Sequence, residues 1–138
     1  MIEKYFWIAG SLIFLVLGTL HLLYTFFTNK FSVRDKETEE MMKKTFPVLT
    51  KKTTMWKAWI GFNASHSIGA VFFGVINLYF ASLQFELLKE SVWLVSFMLL
   101  ICLFYLFLGF KYWFIIPRTG ILISFICFVI AAILILSK

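Results

Sequence analysis

Four long apolar runs, separated by segments in which the charged residues collect, dominate the pattern of the chain. They cover approximately residues 5–27, 56–82, 92–114 and 116–136. Each reaches the roughly 20 residues that an α-helix needs to cross about 30 Å of hydrocarbon. Short connections between the later runs predict an all-α membrane protein, an antiparallel up-down bundle of four transmembrane helices in a single domain spanning residues 1–138. The one sizeable polar segment, about Thr28 to Met55, predicts a short helix at its centre. There Ser32 with Asp35 fits a capping box, Glu39 with Lys43 and Glu40 with Lys44 are favourable i,i+4 pairs, and Pro47 ends the helix. Thr38, Met41, Met42, Thr45 and Phe46 fall on one face of it, which suits a helix lying on the cytoplasmic membrane surface. The connection from Leu83 to Ser91 is short, and Pro117 is expected in the first turn of the fourth helix, where its missing N–H costs nothing.

Composition agrees with this pattern. Of 138 residues, 62% are hydrophobic and 14% charged, against the roughly 25% charged residues of soluble domains. Charge then gives the pattern a direction. Lys30, Arg34, Lys36, Lys43, Lys44, Lys51, Lys52, Lys57, Lys111 and Arg118 put ten of the thirteen basic residues on the first and third loops. By the positive-inside rule those loops are expected in the cytoplasm and both termini outside. Tyr5, Trp7, Tyr79 and Trp93 would mark one interface, and Trp56, Trp59, Tyr112 and Trp113 the other. The net charge of +6 follows from topology and attraction to anionic lipid, and no nucleic-acid-binding motif is present. The first run exceeds the apolar core of a signal peptide and has no small-x-small cleavage pattern before polar sequence begins, so it reads as a retained helix. Cys102 and Cys127 form no CxxC and sit in apolar runs, where they read as small buried hydrophobes.

At the spacing of packed helices, each run carries one stripe that gathers most of its small and polar residues. The first has Ser11, Gly18, His21 and Thr25, and the second has Asn63, His66, Ala70 and Asn77. Cys102, Tyr105 and Gly109 form the third stripe, and Gly120, Ser124, Cys127 and Ala131 the fourth. Membrane helices turn such stripes toward one another, because small residues allow close approach and polar ones bond across the interface. Counted inward from the cytoplasmic helix ends, His21 and Asn63 lie at roughly 9 Å, Ser124 at about 10 Å, Tyr105 at about 12 Å and His66 at roughly 14 Å. This predicts one polar layer in the cytoplasmic half of the bundle, formed by His21, Thr25, Asn63, His66, Ser67, Tyr105 and Ser124, with Ser11 and Asn77 as isolated exceptions elsewhere. The asymmetry suits a pocket more than a channel, which needs a polar lining throughout.

The motifs HLLYTFF (21–27), WKAWIGFNASHSIG (56–69) and TGILISFICF (119–128) resemble a family of small, uncharacterised bacterial four-helix integral membrane proteins. The resemblance covers most of the chain. It implies four-helix architecture in a bacterial cytoplasmic (inner) membrane and carries no activity with it.

Three kinds of chemistry fit the polar layer. It can bind a small ligand, cofactor or lipid group. It can ligate a redox centre, with His21 and His66 as axial ligands of haem b, or joined by Cys102, Cys127 and Met98 in a set soft enough for copper. Or it can serve only to fix helix register in an accessory subunit of a larger membrane complex or a homo-oligomer. Catalysis is disfavoured: no carboxylate lies within a span to orient either histidine, which argues against a triad and against a proton relay.

Overall fold

The computed structural model describes residues 1–137 and contains six helices among them. Helix α1 spans Ile2–Phe27, α2 Lys36–Lys44, α3 Met55–Leu83, α4 Phe85–Glu90, α5 Val92–Tyr112 and α6 Ile115–Leu136. Helices α1, α3, α5 and α6 are each long and apolar enough to cross a membrane, so the protein is an all-α, multi-pass membrane protein of four spans. The observed ends of the spans lie within three residues of those the apolar pattern predicts.

The chain divides into two compact units. The first comprises residues 1–17 and 70–138 and holds a segment of each spanning helix. Its register follows from pairs of facing residues. Along α1, Trp7 meets Asn77 and Ser11 lies against Gly74, so position rises in α1 as it falls in α3. Gly10 faces Ser124 while Leu17 faces Gly120, which sets α6 antiparallel to α1. Asn77 reaches Met98 and Phe73 lies near Tyr105, which sets α5 antiparallel to α3. The up-down order expected from the sequence is therefore observed. An aromatic cluster of buried Trp7, Phe14, Phe73 and Phe128 with half-buried Tyr105 fills the centre, several pairs meeting edge to face with ring centroids between 4.6 and 5.9 Å.

Glycine sets the closest helix approach. A Cβ added at Gly74 would lie 2.7 Å from the Leu15 amide nitrogen and 2.9 Å from the Ser11 carbonyl oxygen, so no side chain fits there without separating α1 from α3. At Gly120 the obstacle is only the Leu17 Cδ1, the end of a flexible side chain. The connection that the sequence leaves as a short loop holds α4, a single turn and a half whose Leu88 is fully buried and whose Lys89 and Glu86 pair at 2.7 Å.

The second unit, residues 18–69, contains the end of α1, the polar segment with α2, and the start of α3. Helix α2 forms where the sequence places it, but its cap differs. Ser32 is held in a turn through its amide to Asn29, and Asp35 is the N-cap, accepting from the Thr38 amide at 2.9 Å and from the Thr38 hydroxyl. The capping box on Ser32 is thus replaced by an Asp cap three residues later. The helix ends at Lys44, before Pro47, because the residue preceding a proline avoids helical backbone angles. Lys43 bridges Glu39 at 2.8 Å and Glu40 at 2.9 Å, so Lys43 takes the place of Lys44 as the partner of Glu40. Nothing on α2 is buried, and Met41 and Phe46, at 58% and 50% exposed, keep the apolar face open. The segment is nevertheless tied down: the Met55 amide donates to the Thr45 carbonyl at 3.0 Å, and Thr54 caps the start of α3 through the Lys57 and Ala58 amides.

Candidate functional site

Five of the seven residues expected in the polar layer belong to the second unit: His21, Thr25, Asn63, His66 and Ser67. His21, one turn and a half from the end of α1, and Asn63, in the third turn of α3, meet at 2.9 Å between Nε2 and Oδ1. The two residues share a depth count in the sequence, and they pair in the structure. His66, one turn further along α3, places its ring 5.5 Å from that of His21 at 65°. Thr25 and Ser67 are buried but turned to their own helices, Thr25 donating to the His21 carbonyl at 2.8 Å and Ser67 to the Asn63 carbonyl at 2.6 Å.

The direction of the central hydrogen bond is fixed. The Asn63 amide Nδ2 donates to the Trp59 backbone carbonyl at 2.9 Å, which accepts only from a donor and so turns the Asn63 Oδ1 toward His21. A carbonyl oxygen accepts, so the His21 Nε2 carries the proton. In the uncharged imidazole Nδ1 is then the atom with the lone pair. No hydrogen bond joins that atom to any described residue, and no side-chain nitrogen or oxygen is both fully enclosed and unpaired among them.

Two further residues complete the surroundings of His21, and the sequence stripes do not mark either as part of the site. Phe31, four residues beyond the end of α1, brings its ring to 4.2 Å from the imidazole at 31°. The Trp59 indole N–H holds Phe31 there by donating to its carbonyl at 2.9 Å. Trp59 thus orients Asn63 through its own carbonyl and Phe31 through its side chain. Only the two helix ends and the folded segment together bring these groups into contact, and a period of 3.6 residues carries no trace of a loop residue such as Phe31. Thr28 and Lys30 fix the turn that returns Phe31: the Thr28 hydroxyl donates to Tyr24, the Lys30 amide to Thr28, and the Lys30 ammonium sits 3.8 Å from the centre of the Tyr24 ring.

Ser124 and Tyr105 belong to the first unit. Ser124 is fully buried and donates to the Gly10 carbonyl at 2.7 Å, eleven residues before His21 in the chain. A depth count from helix ends assumes that the ends are flush. The contacts of Gly120 with Leu17 and of Ser124 with Gly10 set the register of α6 against the first seventeen residues of the chain. Tyr105 packs its ring against Phe14 at 5.2 Å in the aromatic core.

Ser11 and Asn77, the supposed exceptions, are instead parts of a second polar set. Asn77 is 0% exposed, accepts from the Trp7 indole at 2.9 Å and donates to the Phe73 carbonyl at 2.9 Å and to the Met98 sulfur at 3.6 Å. Ser11 donates to the Trp7 carbonyl at 2.7 Å. Glu3 is 3% exposed in the first turn of α1.

The donors bear directly on metals. No three of His, Cys, Asp and Glu gather as a candidate metal site among the described residues. Met98 is engaged by Asn77, and Cys102, Cys127 and Met98 belong to the first unit while both histidines belong to the second. Axial ligation of haem b through the His21 Nε2 would require breaking the Asn63 bond.

No protein-family model, curated protein or solved structure matches this chain.

Proposed function

We propose that this protein is a multi-pass membrane binding protein that holds a small ligand, cofactor or lipid group at the cluster of His21, Asn63 and His66, with Thr25 and Ser67 lining it. The single observation behind this reading is the state of His21. Its Nε2 is committed to an oriented asparagine, while its Nδ1 keeps a lone pair that no described residue uses. Residues whose only role is to join helices usually consume both their donors and their acceptors, as Asn77 does. The Phe31 ring supplies an apolar cover on one side. The setting we propose is a bacterial cytoplasmic membrane, with the Lys-rich first loop and the third loop in the cytoplasm and both termini outside.

The test is purification of wild type, His21→Ala and His66→Ala in mild detergent, followed by an absorption spectrum, metal analysis and mass spectrometry of the organic extract. Binding predicts a stoichiometric small molecule in wild type that both variants lose, while their midpoints of thermal unfolding stay within a few degrees of wild type. A Soret band would identify that molecule as haem. Extracts containing only bulk lipid, together with a large loss of thermal stability in the variants, would make the cluster a helix joint and the protein an accessory subunit.

A further inference from the structure

The hydrogen-bond chain through Asn63 also restricts what the cluster can take. Resting on the binding reading above, we infer that the ligand is a non-cationic molecule that presents a hydrogen-bond donor, a hydroxyl or phenol, to the Nδ1 of His21.

The Trp59 carbonyl is an acceptor with fixed position in the first turns of α3. It takes the Asn63 Nδ2, so the Asn63 Oδ1 faces His21 and accepts the Nε2 proton. That chain of three groups makes His21 an acceptor at its other nitrogen. A ligand that is itself only an acceptor, such as an ether, ester or ketone, gains nothing at that atom. A hydroxyl completes the chain, each donor meeting one acceptor from ligand to Trp59.

Charge narrows the class further. The carboxylates of this unit are Asp35, Glu37, Glu39 and Glu40. Asp35 is spent on the cap of α2, and Glu39 and Glu40 on Lys43. Lys30 lies on the Tyr24 ring. No carboxylate of this unit is bonded to His21 or Asn63, so a cationic ligand head would find no counter-ion in the contacts the cluster makes, and burying it there would be costly. The aromatic rings of His21 and Phe31, 4.2 Å apart, favour a flat apolar body beside the donor.

A matched pair of probes separates donor from acceptor. 4-Hexylphenol and 4-hexylanisole have the same ring and tail, and differ in that the phenol donates a hydrogen bond while its methyl ether only accepts. The readout is the ring 15N resonances of the detergent-solubilised, ring-15N-histidine-labelled full chain, with His66→Gln used to assign His21. The inference predicts that in the free protein the proton of His21 is on Nε2, that the phenol shifts the Nδ1 resonance saturably, and that the anisole does not. The Asn63→Leu variant, which removes the group that selects the tautomer, should weaken the phenol response at least tenfold. A proton found on Nδ1 in the free protein, or equal shifts from both probes, would overturn the donor requirement while leaving a binding site in place. Absence of any saturable shift at either histidine with either probe would overturn the donor requirement as well, and if the extract of wild type also holds no small molecule the binding reading falls with it.

Discussion

The two units each contain buried asparagine, serine and aromatic groups, yet they use them differently. In the first, Asn77 has a partner for its oxygen and two for its nitrogen, and these come from α1, α3 and α5. Ser124 bonds across from α6 to α1, and Gly74 lets backbone meet backbone. In the second, the bonds of Thr25 and Ser67 stay within a helix turn, and the pair that links two helices, His21 with Asn63, leaves an imidazole nitrogen over. Polarity within a membrane helix is therefore not itself a sign of a site. The distinction lies in whether the protein's own groups use up the hydrogen-bonding capacity, as happens around Asn77 and not around His21.

The largest effect is expected in the first unit where its helices are tightest. Gly74→Ala should destabilise the protein by about 3 kcal/mol, the upper end of overpacking costs, because its new Cβ meets backbone. Gly120→Ala should cost less than about 1 kcal/mol, since Leu17 can rotate away. Unfolding of both variants in the same detergent checks the ordering, and equal losses would show that the helix contact at Gly74 is not the tight one.

A smaller effect sharpens the contrast between the two asparagines. Asn77→Ala leaves the Trp7 indole N–H buried without a partner and should cost about 2 kcal/mol. Asn63→Ala removes a single bond between helices and should cost below about 1 kcal/mol, within the usual range for such bonds in membranes. If Asn63 proved the costlier of the two, the second unit would be the structural joint.

The smallest effect concerns α2. Hydrogen bonds from Thr38 hold the Asp35 carboxyl below its ordinary value of 3.8, so its pKa is lower folded than unfolded. A carboxyl shifted in that sense stabilises the capped helix fully above the unfolded value and ceases to do so as pH falls through the folded one. The Thr38 amide resonance should therefore move only below about pH 4. Asp35→Asn keeps a capping side chain and should remove most of that movement, the remainder belonging to Glu40, which Lys43 also holds low.

Much of this architecture is legible in the sequence because it depends on run length and on composition. The four spans and α2 follow from apolar runs and i,i+4 charges, and His21 and Asn63, which meet in the structure, share a depth count along their helices. Other features depend on the offset between helices, which a single sequence does not contain. Ser124 bonds to Gly10, and Asn77 finds Trp7 and Met98 at a level that looks dry from the sequence. Gly74 is likewise ordinary in the sequence and decisive in the structure, since only the facing backbone shows that a Cβ has no room. Phe31 was beyond reach because a folded segment, not a helical period, carries it to His21.

Ligand-induced stabilisation is the measurement that bears on a site at His21. Thermal unfolding of the detergent-solubilised protein should shift upward with 4-hexylphenol concentration, saturating as binding to the folded state requires, by about 2.7 kcal/mol at a hundred times the dissociation constant. The same titration of His21→Ala should give no shift. An equal shift in both proteins, or none in wild type, would contradict a site built on His21 and leave the cluster as a joint between helices.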